Sequence, residues 1–585
     1  MDVSFRDKWL EMCGIIGYNG DKDIFDILRK GLKRLEYRGY DSSGISLQKN
    51  SELVIKKSVG QVNELFKKIS ETELGGSKSG IAHTRWATHG KVTEINSHPH
   101  TSCQKRLAVV HNGIIENHEE IRSQLENNHL IRSETDTEII AHYLEEKLEK
   151  GNTVIESLQE FHTEAEGTYA VLVQKKGREK IFALKNKSPL VIGYADHGNF
   201  ISSDIYAFSN HTEKSIFLKD GDTAEVTENT YKVYNKDRKE ATRSIKNIKW
   251  SQTENKRNFG HYMIKEVYEI PKTVEKLVKS VKNHQSSEFQ KFAEKIRQKE
   301  KVVITGCGSS FHAAKIGEKI LRRKGFNVRA LNAVETDETD FSEETLTVAV
   351  SQSGETMDVL DTVEQAINKG SEIFSIVNVP YSTVQRKSST TINLLAGQEI
   401  CVASTKTFVN QVLVFKMLSK ILDGEKIEAS DLTSGLRKVI EEDAMVERVS
   451  EKLVEEEKIY VLGSSVEYPL AKELALKLKE ITYTHSEGLR AGEMKHGTLA
   501  LVEEGTKIIG FSQQLSQIEN SLEEAKSRGA EIFPITMEEL GLEGLEEFSE
   551  LFIATLGFVL TYKIAKKRGL PIDKPRNLAK SVTVR

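Results

Sequence analysis

The tightest constraint on the fold is a pattern that occurs twice. VVITGCGSSFHAAKIGEKILRR (residues 302–323) and IYVLGSSVEYPLAKELALKLKE (residues 459–480) both read as an apolar strand, a glycine, small hydroxyl-bearing residues and a helix. Parallel strands covered on both faces are near-continuous apolar runs, and a strand–Gly–helix junction opens a βαβ crossover. Around the first copy the alternation continues. Strands are predicted at 302–305, 346–350, 373–377 and 392–395, and helices at 311–323, 357–368 (ended by Gly370) and 405–422. Such a rhythm predicts a doubly wound parallel sheet. Gly306 and Gly463 lie too far apart for a solenoid repeat, so two α/β domains are expected.

The preceding residues have another rhythm. Short β-like runs at 14–18, 45–48, 107–115, 169–174, 190–194 and 200–203 are interrupted by helical patterns at 24–36 and 137–148. Strands with segregated helices predict an α+β layered domain. Residues 231–290 are highly charged and weakly patterned, and are expected to connect the two regions, although 261–269 (HYMIKEVYE) has aromatic spacing suited to docking.

With 83 Lys+Arg against 87 Asp+Glu, the net charge of −4 provides no general positive field for nucleic acid or acidic membrane. Four cysteines are too few for a disulfide scaffold, which suggests a reducing cytosolic setting. The apolar run 551–562 is shorter than the ~18–20 residues of a span and reads as a buried helix. Residues 1–12 mix Arg6, Asp7, Lys8 and Glu11 with no apolar core, unlike a signal peptide. A soluble, cytoplasmic, multidomain protein is expected.

In MCGIIG, Cys13 follows Met12. Removal of that methionine would place an α-amine of pKa ~7.7–8.0 beside a thiol of pKa ~8.5, a nucleophile and its base in one residue. Read alone, the string is a structural cysteine opening a strand. Further blocks hold groups suited to a zwitterionic amino acid: RLEYRGYDSSG (34–44), HTRWATHG (83–90), HNGIIENH (111–118) and SETDTE (133–138). Arg85 can clamp a carboxylate, Asp136 can pair with an ammonium, and Asn112 with the Gly113 N–H can form an oxyanion hole. Trp86, His83, His89, His98 and His100 taken singly read as structural. HPH (98–100) has no third ligand at helical spacing, so no metal is expected.

Together these strings resemble the class II (N-terminal nucleophile) glutamine amidotransferases, and in particular the glutaminase domain of the glutamine–fructose-6-phosphate aminotransferase family. The resemblance implies an αββα sandwich over 13–230. In it Cys13 attacks the glutamine side-chain amide, Asn112 and Gly113 hold the oxyanion, Arg85, Thr88, His89 and Asp136 bind the glutamine backbone groups, and Trp86 gates an ammonia passage. The family begins at the cysteine, whereas twelve residues precede Cys13 here. An amide at its nitrogen would lose the base, so residues 1–12 are expected to be a mis-assigned start or a cleaved pro-segment.

GCGSS (306–310) and SQSGET (351–356) each lie between a strand end and a helix start, where free N–H groups and hydroxyls suit a monophosphate. The alternative is that these hydroxyls simply cap helices. No Walker loop or GxGxxG string is present. The loops resemble sugar-isomerase (SIS) domains, and the two copies resemble the tandem pair of the same family. The resemblance implies SIS domains at 291–430 and 449–575, with a tail at 576–585. It places the sugar phosphate on Ser310, Ser351, Gln352, Ser353 and Thr356, with Val402 and Ser404 as neighbouring sugar contacts.

Hydrogen transfer between C1 and C2 of a sugar also needs a base, a ring-opening group and an amine able to form a Schiff base. The stretch 474–497 offers Lys477, Glu480 and His496, and the ending DKPRNLAKSVTV offers Lys580. By bland reading, KLKE is a solvated stripe and Lys580 a surface lysine. The resemblance makes Glu480 the proton-shuttling base, His496 the ring-opening acid/base, Lys580 the Schiff-base lysine, and Lys477 and Glu473 assisting groups. It implies a long C-terminal loop joining the sugar site to the glutaminase. Cys103, Cys307 and Cys401 are expected as small buried hydrophobes.

The implied reaction moves the amide nitrogen of L-glutamine to D-fructose 6-phosphate, giving D-glucosamine 6-phosphate and L-glutamate, the first step of hexosamine synthesis. No cofactor, nucleic acid or membrane partner is implied, and a homodimer is expected. A different amidotransferase, a non-enzymatic sugar-phosphate sensor, and an isomerase or deglycase without amide transfer are the alternatives.

Overall fold

The computed structural model describes residues 13–70, 76–86, 90–125, 129–248, 256, 258–464 and 467–580. Residues 1–12, Thr88 and His89 therefore lie outside the described residues. Two compact units divide the chain, Met1–Ser251 with Ser581–Arg585, and Gln252–Lys580.

Among the described residues, the first unit holds an eight-stranded and a six-stranded sheet. Gly14–Gly20 pairs antiparallel with Gly198–Ser202 and Ser79–Arg85 in one, and Leu107–Ile115 with Gly167–Lys175 in the other. Side chains alternate between the faces of a strand. Ile15, Ile81, Ala108, Val110, Ala170 and Leu172 accordingly share one core between the sheets. Their neighbours Leu107, Val109, Val171 and Val173 instead pack with Ile140, Leu144, Leu158 and Phe161 of helices Thr137–Glu149 and Val154–Glu164. On the outer face of the other sheet, Ile16 lies against helix Ile24–Leu35, so close that a Cβ at Gly31 would come within 2.3 Å of Ile16 Cδ1. Helix, sheet, sheet and helix make the expected αββα sandwich.

The second unit has two sheets whose strands are all parallel. In the first, Lys301–Gly306 lies between Val328–Asn332 and Thr345–Ser351, with Glu372–Val377 and Thr390–Asn393 beyond. In the second, Lys458–Gly463 lies between His485–Arg490 and Lys507–Ser512, with Glu531–Thr536 beyond. Val302, Ile304, Ile459 and Val461 enter one large core that serves both sheets. Val303 and Ala349 face an opposite core, as do Tyr460 and Leu462 in the second sheet. Both sheets are thus covered on two faces, the doubly wound arrangement.

Helix Ser549–Lys567 runs through the shared core. By length and composition Glu546–Lys567 could cross a membrane, but 89% of its apolar window is buried inside the protein. The charged stretch expected as a connection is divided. Tyr231–Tyr234 and Ile245–Asn247 are strands of the first unit, and Tyr262–Lys282 is a helix of the second. Met263, Val267, Ile270, Val274 and Leu277 form its buried stripe, at a helical spacing hidden among lysines and glutamates. Cys401 is buried as expected, whereas Cys307 is half-buried and Cys103 is exposed, because Cys103 lies on a surface turn.

Candidate active sites

In the first unit, Cys13 is buried immediately before strand Gly14–Gly20, two residues ahead of the inward-facing Ile15. Asn112 follows the inward Val110 by two residues, so strand alternation turns both side chains into the gap between the sheets. The Asn112 Nδ2 donates to the Cys13 carbonyl at 2.8 Å, and the Cys13 thiol lies 3.7 Å from the carbonyl oxygen of Trp86.

Gly113 has φ +122°, and a Cβ there would stand 1.9 Å from the Thr168 carbonyl oxygen. Only glycine fits this close strand approach. Asp136 is anchored to the same strand, its Oδ2 accepting the Ile115 N–H at 2.9 Å.

Arg85 is buried on the inward face with His83 and Ile81. His83 stacks on His98 at 4.1 Å, and its Nε2 lies 3.0 Å from the His111 carbonyl oxygen. Burial and the Arg85 charge push His83 down to about 3, and burial with His83 and His100 nearby pushes His98 lower as well. Both rings are therefore neutral scaffolding. Trp86 is half-buried edge-on to Tyr40, with ring centroids 5.3 Å apart.

In the second unit, helix Tyr468–Lys477 passes into a π-helical turn over Leu478–Thr482 that carries Glu480. Such turns often mark functional positions. The Lys477 ammonium lies 2.5 Å from Glu480 Oε2 and 3.4 Å from Glu473 Oε1. Burial raises the Glu480 carboxyl above its ordinary value, opposed by Lys477. Burial acts on Glu473 too, but Lys477 and the bond to His312 prevail and hold it down. The Glu473 carboxylate also accepts from Ser309 at 2.8 Å and lies 2.7 Å from His312 Nδ1, tying this helix to the start of helix Gly308–Arg322.

Ser310, beside them, accepts from Gln411 Nε2 at 3.0 Å. In the neighbouring loop the Ser351 and Ser353 hydroxyls accept the N–H groups of Gly354 at 2.9 Å and Glu355 at 3.1 Å. The Gln352 carbonyl accepts from Asn378 and Val379. Thr356 occupies the cap position of helix Met357–Asn368 without a side-chain capping bond. Simple capping does not account for its hydroxyl.

Lys580 is buried in an ion pair with Glu399, a residue the sequence reading passed over although it precedes Val402 by three positions. Burial raises the Glu399 carboxyl, but Lys580 and the bonds from Thr407 and the Thr405 N–H outweigh it and hold it at about 2. Ser404 Oγ lies 3.3 Å from the same carboxylate, and the Val402 N–H donates to the Asp573 carbonyl at 3.1 Å. Asp573 in turn accepts the N–H groups of Tyr262 and Met263, which docks the chain leading to Lys580. The Lys580 charge is close enough to act on Glu480. His496 is exposed at the end of a short turn, Ala491–His496, and is not part of this hydrogen-bonded set. Glu266, also passed over, is buried nearby and pushed up to about 8 by burial, against Lys406.

The first unit can therefore present a sulfur nucleophile between facing sheets, and the second a buried carboxylate–ammonium set beside hydroxyl-rich loops. A family model described as a glutamine amidotransferase domain matches residues 83–210, and one described as a SIS domain matches residues 295–420 and 452–541. The chain is 37% identical to the isomerizing glutamine–fructose-6-phosphate aminotransferase of Thermococcus kodakarensis, over 98% of this chain and 100% of that one. The namesake proteins of Sulfurisphaera tokodaii and Pyrococcus horikoshii are 37% and 36% identical over the same shares. The chain belongs to the isomerizing glutamine–fructose-6-phosphate aminotransferase family.

Proposed function

We propose that this protein transfers the amide nitrogen of L-glutamine to D-fructose 6-phosphate with isomerisation, giving D-glucosamine 6-phosphate and L-glutamate, and so opens hexosamine synthesis. The observation that carries this reading is one chain holding both Cys13 opposite Asn112 and the ion-paired Glu473–Lys477–Glu480 set.

Cys13, with its own α-amine as base, attacks the glutamine amide to form a γ-glutamyl thioester and release ammonia, and water then cleaves the thioester to glutamate and the free thiol. The Asn112 amide and the Gly113 N–H receive the oxyanion. Arg85 and Asp136 hold the carboxylate and ammonium of glutamine, joined by Thr88 and His89, and Trp86 gates ammonia. The ammonia reaches the sugar without release, since in water it would be protonated.

Ser310, Ser351, Gln352, Ser353 and Thr356 bind the phosphate, with Val402 and Ser404 against the sugar. Lys580 forms the Schiff base with the open-chain ketose with loss of water, ammonia displaces the lysine to leave the sugar imine, and Glu480 carries the proton between C1 and C2. Lys477 holds Glu480 in place, an assignment supported by their 2.5 Å contact. His496 opens the ring, an assignment supported by the sequence motif alone. In this reading the glutaminase spans 13–230 and the SIS copies span 291–430 and 449–575. The protein works as a cytoplasmic homodimer, in keeping with a nucleophilic thiol that must stay reduced.

The test is formation of glutamate and glucosamine 6-phosphate from glutamine and fructose 6-phosphate, with protein expressed from Met1 and from Met12. Both products are expected wherever mass spectrometry finds Cys13 terminal. Glutamate without amino sugar would overturn the reading.

A further inference from the structure

Away from Cys13, the first unit gathers a set of side chains that the proposed reaction does not use. Cys103, His129, His142 and Glu145 each offer one ligand atom, and all four atoms lie within 4.8 Å of one another. Cys103 lies on the turn between strands His100–Thr101 and Leu107–Ile115, and His129 on the loop ahead of helix Thr137–Glu149. His142 and Glu145 are spaced i, i+3 on that helix, which places them on one face.

The sulfur–nitrogen separations suit a small tetrahedral ion. The Cys103 sulfur lies 3.5 Å from His142 Nδ1 and 3.8 Å from His129 Nδ1. Ordinary Zn–S and Zn–N lengths at a tetrahedral angle separate sulfur from nitrogen by ~3.6 Å. Glu145 Oε2 lies 4.0 Å from His129 Nδ1 and is held by the Cys103 N–H at 3.0 Å.

Both histidines turn Nδ1 toward the group and Nε2 toward a carboxylate. His142 Nε2 lies 3.5 Å from Glu138 Oε1, and His129 Nε2 lies 3.6 Å from Glu146 Oε2. Neither contact is a hydrogen bond, but each puts a carboxylate where the second N–H of a metal-bound histidine is expected to donate. The Leu130 N–H points at the Cys103 sulfur at 3.3 Å. A cavity of about 220 Å³, lined by Cys103, Leu130, Arg132, Glu138 and His142 among others, gives an ion a way in.

We propose that Cys103, His129, His142 and Glu145 bind one Zn²⁺ as a four-ligand structural site. Sulfur and imidazole donors select zinc over magnesium or calcium, and four protein ligands leave no open position for chemistry. Binding releases the Cys103 thiol proton to solvent. The ion staples the Cys103 turn and the His129 loop to helix Thr137–Glu149, whose leading residue, Asp136, stands at the proposed glutamine site.

The full-length protein, stripped of metal and titrated with Zn²⁺ alone, is expected to bind one ion per chain and to melt at a higher temperature when loaded. Co²⁺ in place of zinc is expected to give a thiolate-to-cobalt charge-transfer band. Cys103→Ser and His142→Ala should each abolish stoichiometric binding, and Glu138→Gln should weaken it ~10–100-fold. Cys13→Ala should bind as the parent does. Absence of the cobalt band in the unaltered protein overturns the proposal independently of how any variant folds. Retention of the ion by Cys103→Ser, or its loss from Cys13→Ala, overturns it as well.

Discussion

Asn112 lies in one sheet and Cys13 directly precedes a strand of the other, yet the amide of the first donates to the carbonyl of the second at 2.8 Å. The bond fixes an N–H donor beside the proposed nucleophile before substrate arrives, and a preset donor needs no reorganisation when charge develops. Asn112→Ala should lower kcat for glutamate release by ~10²–10³ with a smaller change in KM. A change confined to KM would remove Asn112 from the oxyanion role.

Gly113 should respond differently. Its φ of +122° and the 1.9 Å approach to the Thr168 carbonyl leave no room for a methyl group. Gly113→Ala is expected to cost roughly 3 kcal/mol or more of stability, read as a lowered melting temperature. Asn112→Ala should melt close to the parent, which separates the two effects.

In the second unit the electrostatics predict a pH response. Lys477 opposes the burial that raises Glu480. Without that cation the carboxyl rises further, and less of it is ionised at a given pH. Lys477→Met should therefore move the acid limb of kcat/KM for amino-sugar formation to higher pH. Glu480→Gln should reduce amino-sugar formation by at least ~10² while sparing glutamine hydrolysis. Loss of both activities would contradict the division of labour.

Glu399 gives a stability test. Its carboxyl sits at about 2, below the ordinary 4.5. A depressed carboxylate contributes its full stability above the ordinary value and loses it as pH falls toward 2, here ~3 kcal/mol. Urea unfolding between pH 4.5 and 2 should depend less steeply on pH in Glu399→Gln. At pH 7 that variant should be weaker by ~3–5 kcal/mol, because Lys580 stays buried without its partner.

Much of the architecture was legible in the sequence because it rests on local patterns. The parallel strands at Lys301–Gly306 and Thr345–Ser351 are apolar runs bounded by glycine and serine, and Leu107–Ile115 was predicted to the residue. The candidate nucleophile and its neighbours were legible through whole strings rather than spacing. Tyr262–Lys282 was not, since its apolar positions are diluted by charge and interrupted by Pro271. The Lys580–Glu399 pair and the Cys103–His129–His142–Glu145 group join positions far apart in sequence, and only folding makes either visible.

The core beneath both parallel sheets has a historical consequence. Halves born of one ancestral copy would at first have stood alone. Here Val302 and Ile304 from one and Ile459 and Val461 from the other meet the same apolar mass, with Ser549–Lys567 threaded through it. A break between the copies would lay that apolar mass bare on both fragments.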